Sequence, residues 1–110
     1  MNWGLKDESD VISETATLRV MNILLQGEQC VCNLVAILVL SQSVITHHLD
    51  ILKNARMLSA RKSGLWVYYK PVIDEDTRER ILAQIARTGD PVFEQDRERM
   101  KKSSLCLPED

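Results

Sequence analysis

Residues 33–70 read NLVAILVLSQSVITHHLDILKNARMLSARKSGLWVYYK. Apolar residues recur at helical spacing up to about residue 55, and from Leu58 the pattern changes to the two-residue alternation of β-strands. Asn33 and Ser41 are residue types that cap helix N-termini, so the helical part divides into a short helix and a longer one. Two helices joined by a tight turn predict a helix-turn-helix.

The strand-like part of this stretch predicts a β-hairpin. Residues 58–62 and 65–70 are the two strands, and Lys62-Ser63-Gly64 supplies the turn because glycine tolerates a positive φ. An isolated hairpin is marginally stable and must pack on helices. Directly after a helix-turn-helix, this hairpin is a wing. The predicted fold class is mainly α with a small β-hairpin, a winged helix-turn-helix.

The flanking sequence adds helices on both sides. A helix begins near Ser13 and ends by Gly27, and two further helices begin at Asp74 and at Asp90-Pro91, where acids and proline suit a first turn. We expect a single domain over residues 1–110, with a flexible arm or short helix at 1–12 and a flexible tail at 103–110.

Composition and charge restrict the class of protein. The net charge is −2, but residues 41–70 carry five basic residues and one acid, which concentrates positive charge in one segment. Such a segment is the electrostatic footprint of a DNA-binding face, although it is also compatible with an ordinary solvated surface. No secretory signal or membrane-length apolar run is visible, so a cytoplasmic location without membrane attachment is expected. No Gly-rich phosphate loop or catalytic triad pattern suggests an enzyme.

The longer helix separates an inward face from an outward one. The inward set recurs at i, i+3, i+4 and i+7 and is Ile45, His48, Leu49 and Leu52. The outward set, which is able to reach base edges in a major groove, is Gln42, Ser43, Thr46, His47 and Asp50. We therefore expect a hydrogen-bonded structural role for His48 and a DNA contact for His47.

Basic residues at the helix end and on the wing are candidate phosphate contacts, which give affinity and register rather than sequence discrimination. Their alternative role is surface solubility. The candidate DNA-binding residues are Ser41, Gln42, Ser43, Thr46, His47, Lys53, Arg56, Arg61 and Lys62.

Three segments in a fixed order resemble one family. Residues 27–34 read GEQCVCNL, residues 40–49 read LSQSVITHHL, and residues 64–69 read GLWVYY. Together they resemble the ArsR/SmtB family of metalloregulatory winged helix-turn-helix repressors. The resemblance implies a homodimer formed through terminal helices that binds double-stranded DNA at an imperfect palindromic operator. It also implies that the protein represses a resistance operon and that binding of a toxic ion ends the repression.

The Cys30-Val31-Cys32 element is the candidate ion site. Residues i and i+2 of a helix point about 200° apart, but with Asn33 as the cap both cysteines precede the helix in extended backbone and share a face. A position just before a helix N-terminus favours the thiolate, and thiolates prefer soft ions. The family's matching cysteines bind As(III) or Sb(III), or large ions such as cadmium and lead. No other cofactor is expected.

Cys106 is the candidate third sulfur, from the same subunit or across the dimer. Arsenic-responsive relatives often have a third cysteine where this chain has Val35. Cys106 is otherwise an incidental tail cysteine, and Cys30 and Cys32 are otherwise two small buried hydrophobes. Residues 74–102 contain no histidine, so no zinc site is expected there.

The sequence is compatible with two further functions. A disulfide or persulfide at the cysteines would make the same repressor a redox sensor. Winged helices also serve as protein-interaction modules that do not bind DNA, and Asp50 and Leu65 stand where relatives often carry basic residues.

Overall fold

The structure is a computed structural model that describes residues 15–102. The predicted arm at 1–12, the predicted tail at 103–110 and Cys106 lie outside these residues. The elements in chain order are α1 (Thr15–Leu24), β1 (Gln29–Cys30), α2 (Val31–Leu38), α3 (Gln42–Asn54), β2 (Leu58–Ser63), β3 (Trp66–Pro71), α4 (Glu75–Thr88) and α5 (Val92–Lys102). This order confirms the predicted winged helix-turn-helix fold.

The helix-turn-helix consists of α2 and α3, whose axes differ by 116°. The predicted cap of α3 is confirmed, because the Ser41 hydroxyl accepts a hydrogen bond of 3.3 Å from the Val44 backbone N–H. The predicted inward face is confirmed as well, since Ile45, Leu49 and Leu52 are fully buried. They pack with α1, which is buried along most of its length. Each such side chain contributes about 1.5–3 kcal/mol of hydrophobic stabilisation.

The sheet has three antiparallel strands in the order β1-β3-β2, where the sequence predicted two. The hairpin is confirmed, but its turn is Gly64-Leu65 rather than the predicted Lys62-Ser63-Gly64, because Lys62 and Ser63 extend β2 and pair with Val67 and Trp66. Gly64 has a φ of 61°, which favours glycine. The additional strand, β1, is two residues long and pairs Gln29 with Tyr69 and Cys30 with Tyr68. The wing is therefore joined directly to the segment that carries the first cysteine.

The two C-terminal helices begin where they were predicted. The Asp74 side chain accepts a hydrogen bond of 2.8 Å from the Thr77 backbone N–H, and the hydrogen bonds from Thr77 lower the pKa of the Asp74 carboxyl. Asp90 accepts one of 2.9 Å from the Val92 backbone N–H. The apolar residues of α4 differ in burial, because Ile81 is buried while Leu82 stays 41% exposed.

No single helix within residues 15–102 is long and apolar enough to cross a membrane. Among these helices, only α2 and α3 taken together have the length and apolar composition of a membrane span, and they meet at an angle of 116°.

The turn between α2 and α3 contains a strained residue. Val39 ends α2 with φ 55° and ψ 45°, in the left-handed region that β-branched residues rarely adopt, and its side chain is 68% exposed. Left-handed backbone costs an L-residue about 1–2 kcal/mol, and asparagine tolerates it better.

We therefore expect Val39→Asn to raise the free energy of unfolding by about 0.5–1 kcal/mol, measured by urea denaturation. Val44→Asn is the matched control, because Val44 is also exposed but lies within α3 and has no positive φ. An equal gain in both variants, or a loss in Val39→Asn, would show that the backbone at Val39 is not strained.

Candidate thiol site and nucleic-acid interface

The two cysteines of the Cys-Val-Cys element lie side by side. The Sγ atoms of Cys30 and Cys32 are 3.2 Å apart, which is too long for a disulfide bond between them. Cys30 is buried, whereas Cys32 is partly exposed at the start of α2. The pair is therefore compact and open to solvent on the Cys32 side.

The predicted reason for this proximity was wrong. Asn33 does not cap α2; Cys30 occupies the cap position with φ −89° and ψ 167°, and the helix begins at Val31. Cys32 is thus inside the first turn. The sulfurs still meet because the extended backbone at Cys30, held by its pairing with Tyr68, removes the angular separation of two helical residues.

Asn33 has a different role from the predicted one. Its side chain is buried and donates a hydrogen bond of 3.0 Å from Nδ2 to Gln29 Oε1. The Cys32 thiol in turn donates to Asn33 Oδ1 at 3.8 Å. Asn33 therefore ties the first turn of α2 to β1 and orients one of the two thiols.

Within residues 15–102 no group of three or more His, Cys, Asp or Glu side chains is arranged to hold a metal ion. The part of the chain that the structure describes thus contributes two sulfurs to the thiol site. The proposed third sulfur, that of Cys106, lies outside it.

The outward face of α3 forms an open hollow of about 690 Å³. It is lined by Gln42, Ser43, Thr46, His47 and Asp50, the outward set that the sequence predicts. Ser41 precedes them, and its hydroxyl is engaged as the helix cap. The hollow presents donors and acceptors on one helix, as base reading in a major groove requires.

The two histidines differ as predicted in burial. His48 is 8% exposed, and its Nδ1 lies 3.1 Å from the Thr17 hydroxyl, which links α3 to α1. His47 lies on the exposed face with its ring 5.4 Å from that of His48 in an edge-to-face arrangement. His48 therefore has a structural contact with α1, and His47 lines the hollow.

The candidate phosphate contacts do not share one environment. Lys53, Arg56 and Lys62 are exposed, and Arg56 follows α3 with a left-handed φ of 63°. Arg61 is also exposed, but its guanidinium forms a two-pronged pair with Glu28 at 2.9 and 3.0 Å. Of the two basic residues near the wing tip, Arg61 and Lys62, Arg61 is thus bound by a carboxylate of the protein.

Two features of the site were missed by the sequence analysis. Glu28 was quoted only within a motif, although it binds the wing across 33 residues of chain. Tyr69 lies close enough to α3 that its pKa is raised, first by burial and second by the negative charge of Asp50. Neither feature has a local sequence signal, because the first depends on how β1 and β2 pair with β3 and the second on how close Tyr69 lies to Asp50 of α3.

Comparisons with known proteins agree with this architecture. Residues 16–60 match the family model described as bacterial regulatory protein, arsR family. An uncharacterised HTH-type transcriptional regulator of Methanocaldococcus jannaschii is 38% identical over 65 residues, which cover 58% of this chain and 72% of that protein. The match therefore includes most of that relative.

Two arsenic-resistance proteins are also similar. Arsenic resistance transcriptional regulator ArsR1 of Pseudomonas putida is 42% identical, over 52% of this chain and 44% of that protein. The arsenical resistance operon repressor of Escherichia coli is 36% identical, over 54% of this chain and 52% of that protein. The chain spans about half the length of these two relatives.

One solved structure covers almost the whole chain. It is the crystal structure described as "Possible transcriptional regulator for arsenical resistance", with a TM-score of 0.58 and 31% identity. It aligns with 91% of this chain and 100% of that one. With the winged helix-turn-helix and the family match, this similarity shows that the chain belongs to the ArsR family of bacterial regulatory proteins and is a transcriptional regulator rather than an enzyme.

Proposed function

We propose that the protein is a dimeric DNA-binding repressor of a metal or metalloid resistance operon, released from its operator when As(III) or Sb(III) binds Cys30 and Cys32. The observation that carries this proposal is the pair of thiols 3.2 Å apart at the start of the helix-turn-helix. An ion bound there contacts the element that positions α3. Sensing and DNA binding thus share one structural unit.

The spacing of the sulfurs supports a single soft ion held by both thiols. Two sulfurs bound to one ion at about 2.3 Å with a tetrahedral angle lie about 3.8 Å apart, so the 3.2 Å between Cys30 and Cys32 requires only a small adjustment. Thiolates prefer soft ions, and trivalent arsenic or antimony is the ion of this proposal. Each As–S bond replaces an As–OH bond of arsenite, and the thiol proton leaves as part of a water molecule.

The hollow on α3 supports operator recognition. Gln42 suits adenine, which it binds through two hydrogen bonds, and Ser43, Thr46 and His47 offer further polar contacts. Lys53, Arg56 and Lys62, which are exposed at the end of α3 and on the wing, are the phosphate contacts of this proposal. Residues 41–70 carry five basic residues and one acid in a chain of net charge −2, so this segment is electrostatically suited to DNA.

The distribution of apolar surface supports a homodimer. Leu82 on α4 is 41% exposed, and Val72 just before this helix is 49% exposed, although both are large apolar side chains. On α5, in contrast, Phe93 is turned inward and buried. In a twofold dimer the same patch contacts its own copy, so we propose that α4 contributes the interface.

The test is fluorescence anisotropy of the reduced protein on its own upstream DNA, with and without arsenite. We expect salt-dependent binding that arsenite weakens about 5- to 150-fold, the range of typical allosteric coupling. Cys30→Ser and Cys32→Ser are expected to bind DNA normally and to lose the arsenite response, because each removes one sulfur of the pair.

Cys106→Ser decides whether the tail thiol takes part. A Cys106→Ser variant with a weakened arsenite response would support a three-sulfur site, and an unchanged response would limit the site to Cys30 and Cys32. Absence of specific DNA binding at low salt would contradict the repressor proposal itself. DNA binding that ignores arsenite in the wild type would contradict the metalloid trigger.

A redox trigger is the second candidate, favoured by the same 3.2 Å between the sulfurs. Hydrogen peroxide would oxidise the two thiols to a disulfide while it is itself reduced to two water molecules, which take up both thiol protons. Loss of DNA binding on peroxide treatment, reversed by a thiol reductant without any chelator, would favour this trigger over the metalloid.

A further inference from the structure

The thiol site and the wing share one row of side chains. In the sheet, Cys30 of β1 is opposite Tyr68 of β3, and Tyr68 is opposite Arg61 of β2. Directly opposed residues of antiparallel strands point to the same face of the sheet. Cys30 and Tyr68 are buried on this face, and Arg61 continues it at the exposed edge.

Arg61, at the end of this row, contacts both Tyr68 and Glu28, and Glu28 lies just before the strand that carries Cys30. Its guanidinium carbon lies 5.0 Å from the centre of the Tyr68 ring, within cation–π range. Its Nε and Nη2 donate to the two carboxylate oxygens of Glu28, at 3.0 and 2.9 Å. Glu28 is two residues before Cys30. A closed loop of contacts therefore runs from Cys30 through Tyr68 and Arg61 to Glu28.

The ion pair between Arg61 and Glu28 is weak, which suits a contact that is regulated. The side chains of Arg61 and Glu28 are 47% and 27% exposed, so water weakens their attraction. Exposed ion pairs stabilise a protein by about 1 kcal/mol or less. The two-pronged geometry nevertheless fixes the direction of the guanidinium. The pair thus orients Arg61 on the wing without locking it there.

We propose that Glu28 and Arg61 are positioning residues that transmit the state of the thiol site to the wing. This inference rests on the proposed function. Ion binding at Cys30 and Cys32 displaces β1, and Glu28 moves with it because it adjoins that strand. The carboxylate then redirects Arg61, and with it the β2 edge of the wing that faces DNA. Without the pair, the thiol site still binds its ion but the wing responds less.

The test compares Glu28→Gln, Arg61→Lys and the double variant with the wild type. Glutamine removes the negative charge with little change of shape, and lysine keeps the positive charge but cannot form the two-pronged pair. For each protein we measure the arsenite-induced fold-change in DNA dissociation constant, relative to its own ion-free value. Arsenite affinity of the DNA-free protein is measured separately by calorimetry.

We expect both single variants to bind arsenite with wild-type affinity and to show an arsenite effect on DNA binding that is smaller by up to about fivefold, the most that an exposed pair worth about 1 kcal/mol contributes to the coupling. The double variant is expected to resemble each single one, because all three break the same contact. Lys62→Met is the matched control: it removes a neighbouring wing charge outside this pair, weakens DNA binding and keeps the full arsenite effect.

Full coupling in Glu28→Gln, or effects of the two single variants that add, would overturn the inference while leaving the proposed function intact. A wild-type protein that does not bind DNA or does not respond to arsenite would overturn both. Reduced coupling in Lys62→Met to the same extent would also overturn the inference, since any loss of wing charge would then suffice.

Discussion

Asp96→Ala is expected to lower the free energy of unfolding by about 3–5 kcal/mol, the cost of breaking a buried ion pair by removing one partner. The Asp96 side chain is completely buried, although it lies in a helix whose other charged residues are mostly exposed. It accepts hydrogen bonds from Arg19 at both carboxylate oxygens, each of 2.9 Å, and from Arg99. Its removal would leave two guanidinium groups without their anion.

The same cluster holds the end of the helix that begins at the cysteines. The last carbonyls of a helix have no partner within it. Arg19 donates to the carbonyl of Leu38 at 2.8 Å, and Arg99 donates to that of Ile37 at 2.6 Å. Hydrogen bonding to Asp96 raises the pKa of Arg19, so this guanidinium stays charged. Asp96 therefore stabilises α2 by orienting the two arginines that complete it.

Urea denaturation of the wild type and Asp96→Ala measures this effect. Glu94→Ala is the matched control, because Glu94 is exposed on the same helix and its loss should cost about 0.5 kcal/mol or less. The Arg19 side chain is only 15% exposed, so water does little to compensate for the lost carboxylate. A loss below about 1 kcal/mol in Asp96→Ala would mean that the cluster does not stabilise the helix junction.

The parts of the fold set by local sequence were predicted correctly. The inward face of α3 follows from a 3.6-residue repeat, and its cap follows from Ser41, so both are visible in a short window. The caps Asp74 and Asp90 are local in the same way. The hairpin turn needs a positive φ at Gly64, which the residue type itself indicates.

The start of α2 could not be found in this way. Asn33 has the better capping side chain, but β1 pairs with β3 across more than thirty residues and holds Cys30 in the extended conformation. The burial of Asp96 could not be predicted from the local sequence either, because a charged residue in a highly charged helix is expected to face the solvent. Its burial depends on Arg19, which lies 77 residues away in the chain. Contacts between residues far apart in the chain thus determine both the start of α2 and the burial of Asp96.

Gln42→Ala is expected to weaken operator binding about 5- to 150-fold, because a two-pronged contact with a base provides about 1–3 kcal/mol of discrimination. Gln42 is the first residue of α3, is exposed, and lines the outward hollow. The Ser41 cap directly before it fixes the backbone from which the side chain extends. On the proposed DNA-binding mode, the N-terminal residues of this helix reach base edges, and Gln42 suits adenine.

The pattern of affinity losses across operator variants distinguishes hydrogen bonding to a base from electrostatic attraction to the phosphates. Each base pair of a half-site is changed in turn, and binding by the wild type, Gln42→Ala and Lys53→Ala is measured at several salt concentrations. We expect the wild type to lose affinity when one particular adenine is replaced and Gln42→Ala to be insensitive there. Lys53→Ala should lose affinity for all sequences alike. The slope of the logarithm of its binding constant against the logarithm of salt concentration should fall by about one, the effect of losing one phosphate contact. A uniform loss in Gln42→Ala would place this side chain on the phosphate backbone and move sequence reading to Ser43, Thr46 and His47.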